Sequence, residues 1–484
     1  MKPMGALPPE FAGQRGRLTI AGRPADDWAE ATPVFVYDVG IVAARVARFR
    51  AAFPDVDLHY AIKANPLPAL LDRVAPLVDG LDVASGGELE KALAVKPASA
   101  ISFAGPGKRD VELRAAIRAG ATLNVESEGE ATRALRLGED LGIAPRMAVR
   151  VNPDIELRGS GMRMGGRPSP FGVDAARAAA LVRAIVASGA DWRGFHIYAG
   201  SQALDAGAIA ETQAATLALA ARLADEAGMA PPLVNLGGGF GVPYFAGDVP
   251  LDVEAVGAAL GKALAARPPV LGQARFAIEL GRWLVAEAGV YLTRIVDRKD
   301  SQGETFLVTD GGLNHQLAAS GNFGTVVRRN YPLALARDVS GAGDETVSVV
   351  GPLLIRADGA WTLAPDRVTS AVTATGLALV VAALAACSSR DATEASAGGA
   401  AAKPATSAPA RAAVDDARPS LLLGRRHRRP LGTGEGHPTG DAVVKRLQPG
   451  TPSTKIRRRS SAVARTVSAW CEVASVICVT GLPK

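Results

Sequence analysis

The sequence predicts an α/β protein: a (β/α)8 TIM barrel over residues 34–282, a partial β domain over 283–352, and a tail over 353–484. Three observations predict it. Eight short apolar runs with the period of a strand alternate with seven amphipathic helical stretches between residues 57 and 279, the pattern of parallel strands joined by helical crossovers. After Arg282 strand-like runs follow one another without helices. All 12 Phe and all 6 Tyr precede residue 353, so the last 132 residues contain neither.

Residues 1–33 are rich in Pro and Gly and hold one candidate strand, Leu18-Thr19-Ile20, expected to join the β domain. Val34-Phe35-Val36-Tyr37 is a second, followed by a helical pattern through Phe53. The barrel strands centre on 57–63, 81–84, 100–104, 122–126, 147–152, 193–199, 233–237 and 276–279. Segments such as 86–95, 108–119, 129–141 and 173–188 have helical spacing. Beyond the barrel, 284–296, 304–309 and 345–350 read as strands of a separate domain. In a barrel of this kind functional side chains gather at the carboxyl ends of the strands.

Composition restricts the function classes. The net charge of +6 is not spread evenly: residues 401–484 carry 15 Lys/Arg against 5 Asp/Glu, which leaves the first 400 residues at −4. A specific nucleic-acid surface on the folded body is therefore not expected. Cys387, Cys471 and Cys478 all lie beyond the barrel, so the body has no disulfide framework and no thiolate metal site, as expected of a cytosolic enzyme. The first residues, Met1-Lys2-Pro3-Met4-Gly5, show no apolar run of a signal peptide.

The chemistry-bearing residues fall at strand ends. In Tyr60-Ala61-Ile62-Lys63-Ala64-Asn65-Pro66 the proline and the residue before it stop the strand, leaving Lys63 at its carboxyl end. A lysine that forms a Schiff base avoids the cost of a stranded ammonium, and desolvation is expected to lower its pKa; a lysine reaching out to water is the competing reading. Asp82, in Asp82-Val83-Ala84-Ser85-Gly86-Gly87, lies at a strand-to-helix turn where Ser85 also suits a plain helix cap. Arg150 is a charge inside a strand, suited to a site or to a structural ion pair. His196 and Tyr198 share a strand face that ends in Gly200-Ser201-Gln202. Gly237-Gly238-Gly239 follows an apolar strand and lets backbone N–H groups approach an anion, yet is neither a P-loop nor a dinucleotide fingerprint. Glu279-Leu280-Gly281-Arg282 closes the eighth strand with an acid and a base. One ligand fits them jointly: a lysine for an aldehyde, glycines and an arginine for a phosphate, and a carboxylate for a ring nitrogen describe pyridoxal 5'-phosphate.

In order and spacing, Tyr60–Pro66, Asp82–Ser85, Gly200–Gln202, Gly237–Gly241 and Glu279–Arg282 resemble the fold-type III pyridoxal-phosphate decarboxylases, the ornithine, diaminopimelate and arginine decarboxylase group with an alanine-racemase-like barrel. Phe103–Lys108, Asn124–Ser127, Gly159–Met162, His196–Gln202, Ala318–Phe323 and Arg329–Pro332 resemble most the exosortase-A-system-associated decarboxylases. The resemblance covers roughly residues 10–352. It implies that Lys63 is joined covalently to the cofactor, with Asp82 and Arg150 close by. It further implies that Ser201, Gly237, Gly238, Gly239, Gly281 and Arg282 form the phosphate site and that Glu279 meets the ring nitrogen. The histidine that stacks on the ring in the family has Tyr198 in its slot here, with His196 one strand step earlier, so either covers the ring. The implied partners are a small amino-acid substrate, free or carrier-tethered, and a second copy of the chain in a homodimer; no membrane is implied.

The departures matter for activity. The substrate-carboxylate arginine of diaminopimelate decarboxylases falls at Ala318, and the family's Gly-Pro-x-Cys element reads Gly351-Pro352-Leu353-Leu354, with leucine in place of the acid-donating cysteine. The phosphate-binding tyrosine of a downstream Gly-Ala-Tyr is absent. A GC-rich gene read out of frame from near residue 353 would give such a tail, expected to be disordered; its 16-residue apolar run Ala371–Ala386 is shorter than the roughly 20 residues of a membrane helix. The expected activity is decarboxylation of an amino acid, a diamino acid or a related one. Two alternatives are a catalytically impaired, cofactor-binding dimer and an amino-acid racemase, the latter disfavoured because alanine racemases place an arginine where Glu279 stands.

Overall fold

A computed structural model describes residues 7–11, 17–155, 157–159, 162–163, 166, 168–244, 247–312, 315, 334–336, 346–352, 361–362, 378–379, 442–446 and 476–480. Its centre is a closed ring of eight parallel strands: β1 (Asp57–Ala61), β2 (Gly80–Val83), β3 (Ile101–Phe103), β4 (Thr122–Val125), β5 (Arg146–Asn152), β6 (Asp191–Ile197), β7 (Leu233–Gly238) and β8 (Arg275–Leu280). Each pairs with the next, and β8 pairs with β1 to close the barrel. Helix α1 (Val39–Ala52) precedes the ring. The seven crossovers carry α2 (Pro68–Val74), α3 (Gly86–Leu93), α4 (Asp110–Ala119), α5 (Glu128–Leu141), α6 (Ala175–Ala187), α7 (Ala206–Ala227) and α8 (Val253–Ala265).

Local chemistry sets the turns. Side chains of Ser85, Ser127, Asp205 and Asp252 accept backbone N–H groups three residues on, which starts α3, α5, α7 and α8 at the carboxyl side of a strand. Ser85 is thus a helix cap. At the far ends α4, α5 and α7 stop on Gly120, Gly142 and Gly228, each in the left-handed region.

Every barrel strand repeats one motif, a polar residue between two buried apolar ones. These polar residues are His59, Asp82, Ser102, Asn124, Arg150, His196, Asn235 and Glu279. The pairings place them on one face: Arg150 opposite His196, His196 opposite Asn235, Asp82 opposite Ser102, Glu279 opposite His59. The apolar neighbours pack outward beneath the helices. Barrel interiors are ordinarily filled by branched aliphatic side chains. Here the inner face is polar, so the alternation marks inside from outside rather than core from solvent.

The β domain is organised on β9 (Gly289–Ser301), paired antiparallel with β10 (Glu304–Thr309) on one side and with Val34–Asp38 on the other. The barrel boundary drawn at residue 34 falls too early: Val34–Tyr37 pairs with Gly289–Leu292 and lies in the β sheet, as the reading of the N-terminal strands as part of the β domain expects. Thr19–Ile20 pairs with Arg23–Pro24 as a small hairpin. Beyond residue 352, where no regular structure is expected, Ala442–Arg446 pairs with Val34–Asp38, and Val476–Thr480 pairs in parallel with β9. Both segments are rich in β-branched residues that suit an open sheet edge. Ala318, the Leu353-Leu354 positions and all of Ala371–Ala386 except Ala378–Leu379 lie outside the described residues.

Candidate active site

The carboxyl ends of the strands bring the predicted residues together. Strand β1 stops at Ala61, two residues short of the expected end. There the pairings to β8 and β2 finish, at Tyr60 and Ala61, and the chain turns. Ile62–Ala64 forms a single 3-10 turn that carries Lys63. Asn65 fixes the turn: its carbonyl accepts from the Tyr60 hydroxyl at 3.0 Å and its side chain accepts from Leu67 N at 3.1 Å. The Lys63 side chain is 53% exposed at the barrel mouth, with Nζ 3.6 Å from Oε1 of Glu279.

Glu279 is buried between Lys63 and His196. Its other oxygen lies 3.0 Å from Nε2 of His196, whose side chain is 2% exposed. Burial alone would raise the Glu279 pKa, but Lys63, His196 and Arg150 outweigh it and hold the carboxylate well below its ordinary range. For Lys63 the expectation of a depressed pKa is reversed: the surrounding barrel wall desolvates the half-exposed amine and lowers it, but Glu279, with Tyr198 and Asp82, raises it more. Tyr198 stands one residue beyond β6, its phenol pushed up by burial and acting electrostatically on Lys63, Glu279, Arg282 and Arg150. His196 is therefore below the mouth against Glu279, and Tyr198 is at it. Arg150 reaches Oε1 of Glu126 at 2.9 Å, and Glu126 also accepts from the backbone N–H groups of Gly105 and Gly172.

The anion cradle is built by close backbone approach. A Cβ on Gly237 would lie 2.7 Å from the Ile197 carbonyl oxygen, one on Gly238 1.9 Å from that of Glu279, and one on Gly239 2.3 Å from that of Gly200. Gly237 and Gly239 also have φ of +70° and +83°. The turn thus packs directly on Ile197, Tyr198 and Gly200, and Gly281 fits against Ala61 and Ala64 beside Lys63. Arg282 Nη1 donates to Gln202 Oε1 at 2.8 Å, while its buried Nε makes no hydrogen bond among the described residues. Asn235 Oδ1 accepts from Gly237 N at 2.9 Å and stiffens the turn.

Sequence reasoning missed Gln202, Asn235, Glu126 and His59 as contributors. Gln202 had a signal in its place in Gly200-Ser201-Gln202; the structure shows it at φ +61° without being glycine, its amide spanning from Arg282 to Val242. The other three are legible only once the inner face of the barrel is known.

A glycine turn beside a serine and an arginine with a free donor fits a phosphate; a lysine beside a buried ionised carboxylate fits an aldehyde next to a ring nitrogen. A profile described as "Pyridoxal-dependent decarboxylase, pyridoxal binding domain" matches residues 39–286. The chain belongs to the pyridoxal-dependent decarboxylases. It is 35% identical over 330 residues to the L-glutamyl-[BtrI acyl-carrier protein] decarboxylase of Niallia circulans, covering 66% of this chain and 77% of that one. It is 32% identical over 311 residues to the diaminopimelate decarboxylase of Aquifex aeolicus, covering 63% and 73%. The crystal structure of diaminopimelate decarboxylase from M. jannaschii superposes with a TM-score of 0.65 at 26% identity, covering 74% of this chain and 84% of that chain. The family's reaction is amino-acid decarboxylation, a carboxy-lyase chemistry with pyridoxal 5'-phosphate as cofactor. No helix among the described residues is long and apolar enough to cross a membrane, and no cluster of metal-ligating side chains occurs among them.

Proposed function

We propose that this decarboxylase acts through Lys63, with Ser201, Gly237, Gly238, Gly239, Gly281 and Arg282 holding the cofactor phosphate. The observation that carries this reading is the buried Glu279 carboxylate, set 3.6 Å from Lys63 and 3.0 Å from His196. When bound, pyridoxal phosphate supplies the electron sink for the pair left on Cα as carbon dioxide departs. Glu279, kept ionised, holds a proton at the ring nitrogen, and His196 fixes the orientation of its second oxygen. Arg150, itself anchored by Glu126, adds positive charge beside that carboxylate. Tyr198 rather than His196 covers the ring, because His196 is already engaged below the mouth. Asp82, on β2 across Lys63 from Glu279 on β8, stands beside the cofactor.

The substrate favoured is an aminoacyl group tethered to a carrier. The similarity to a carrier-protein decarboxylase supports it, as does the half-exposed Lys63, which is open to a long substrate arm. A homodimer in the cytoplasm is the working assembly we infer. A second reading, a cofactor-binding but impaired form, is favoured by Gly351-Pro352-Leu353-Leu354, where leucine replaces the expected acid. The test loads purified protein with pyridoxal phosphate and measures carbon dioxide release from free and carrier-tethered amino acids. Release that is abolished in Lys63→Ala supports the enzyme; bound colour without release from any substrate supports the impaired form.

A further inference from the structure

The amino-terminal half of the barrel encloses a cavity of about 400 Å³, away from the mouth that holds Lys63. His59, Ser102, Asn124 and Asn235 line it among apolar residues such as Ala148 and Leu233, and Arg146, Arg193 and Arg275 also border it. His59 is the wall residue that also reaches the layer of the active site. Its Nδ1 lies 3.4 Å from Oδ2 of Asp82. Neither that nitrogen nor either Asp82 oxygen makes a hydrogen bond among the described residues, and Asp82 is 6% exposed. Gly80 makes room for the imidazole: a Cβ there would lie 2.6 Å from His59 Nε2.

The charges around His59 are otherwise committed. Asp79 binds Arg50 at 2.6 Å, Asp57 binds Arg275 at 2.5 Å, and Arg146 and Arg193 share Asp191 at 3.5 and 3.6 Å. Glu279 acts on His59 from β8, but is held by Lys63 and His196. Asp82 from β2 is thus the carboxylate left for the imidazole. Burial disfavours the imidazolium, yet Asp82, with Asp57 and Glu279, outweighs burial and raises the His59 pKa.

We propose that His59 is a positioning residue for Asp82 that takes its proton from the amino-terminal cavity, so that the protonation of the imidazole behind Asp82 is set from the amino-terminal end of the barrel. The only bond made or broken is the imidazole N–H, its proton exchanged with water in the cavity. This rests on the placement of Asp82 beside the cofactor given above.

The test is ¹⁵N-histidine NMR of the holoenzyme across pH, feasible with five histidines, together with the pH dependence of the cofactor's visible band. Wild-type His59 should titrate above about 6.5, the ordinary histidine value. In Asp82→Asn its midpoint should fall, and in His59→Gln the cofactor band should persist but lose the pH step that shares the His59 midpoint. An unchanged His59 midpoint in Asp82→Asn overturns the proposal, as does a band step that survives in His59→Gln or a His59→Gln protein that takes up no cofactor. If the histidine midpoint moves while the band ignores both substitutions, the pair exists but Asp82 is not beside the cofactor. That result overturns the active-site placement and, with it, the proposed link.

Discussion

Glu279 concentrates the chemistry because a buried carboxylate is stable only when its charge is answered, and here Lys63 and His196 answer it from two sides. Glu279→Gln should retain the bound colour but lower carbon dioxide release about 10²-fold, the usual scale for losing a positioned proton-holding group, measured under substrate saturation. The two buried pairs also set opposite pH dependences of stability. The folded-state pKa of Glu279 is depressed, so its contribution is present above the ordinary carboxylate range and lost as pH falls through the folded value. That of His59 is raised, so its contribution is full below the unfolded histidine value and lost as pH rises through the folded one. Urea denaturation at a series of pH values should show the alkaline loss in wild type and not in His59→Gln. At this scale the sequence was informative where chemistry and spacing coincide, as at Lys63 and Glu279-Leu280-Gly281-Arg282. It was silent on His59, whose polar neighbour pattern looks the same whether the face meets water or a barrel interior.

Turns and short elements decide whether the cradle forms. Gly239 combines a φ of +83° with a carbonyl where its side chain would be, so Gly239→Ala should cost about 1–3 kcal/mol of backbone strain and abolish retention of the cofactor on gel filtration. At the base of α4, Lys108 pairs with Glu130 at 2.6 Å with both side chains almost fully buried, and donates to the carbonyls of Gly105 and Asn124. Lys108→Met should destabilise the fold by about 3–5 kcal/mol in chemical denaturation, because Glu130 is left charged and unpaired. All eight barrel strands were legible from their alternation. Their ends were less so: the 3-10 turn at Ile62–Ala64 follows from where neighbouring strands stop pairing, which no local pattern encodes.

Across the whole chain the barrel is complete, while the β domain is assembled from distant pieces. Val34–Asp38 sits between β9 and Ala442–Arg446; the N-terminal strand's place in this sheet was expected, but Ala442–Arg446 was not, because no local pattern links strands that lie so far apart in the chain. If a shifted reading frame produced residues 353–484, an alternative frame of the gene should encode Gly-Pro-x-Cys and Gly-Ala-Tyr, and restoring it should raise carbon dioxide release; a gene with neither motif in any frame contradicts that origin. The anchor for all of this is the identity of one lysine. Borohydride reduction of the holoenzyme followed by peptide mass mapping should place the pyridoxyl group on the peptide carrying Lys63. A label on any other lysine, or none on a protein that stays yellow, would contradict it.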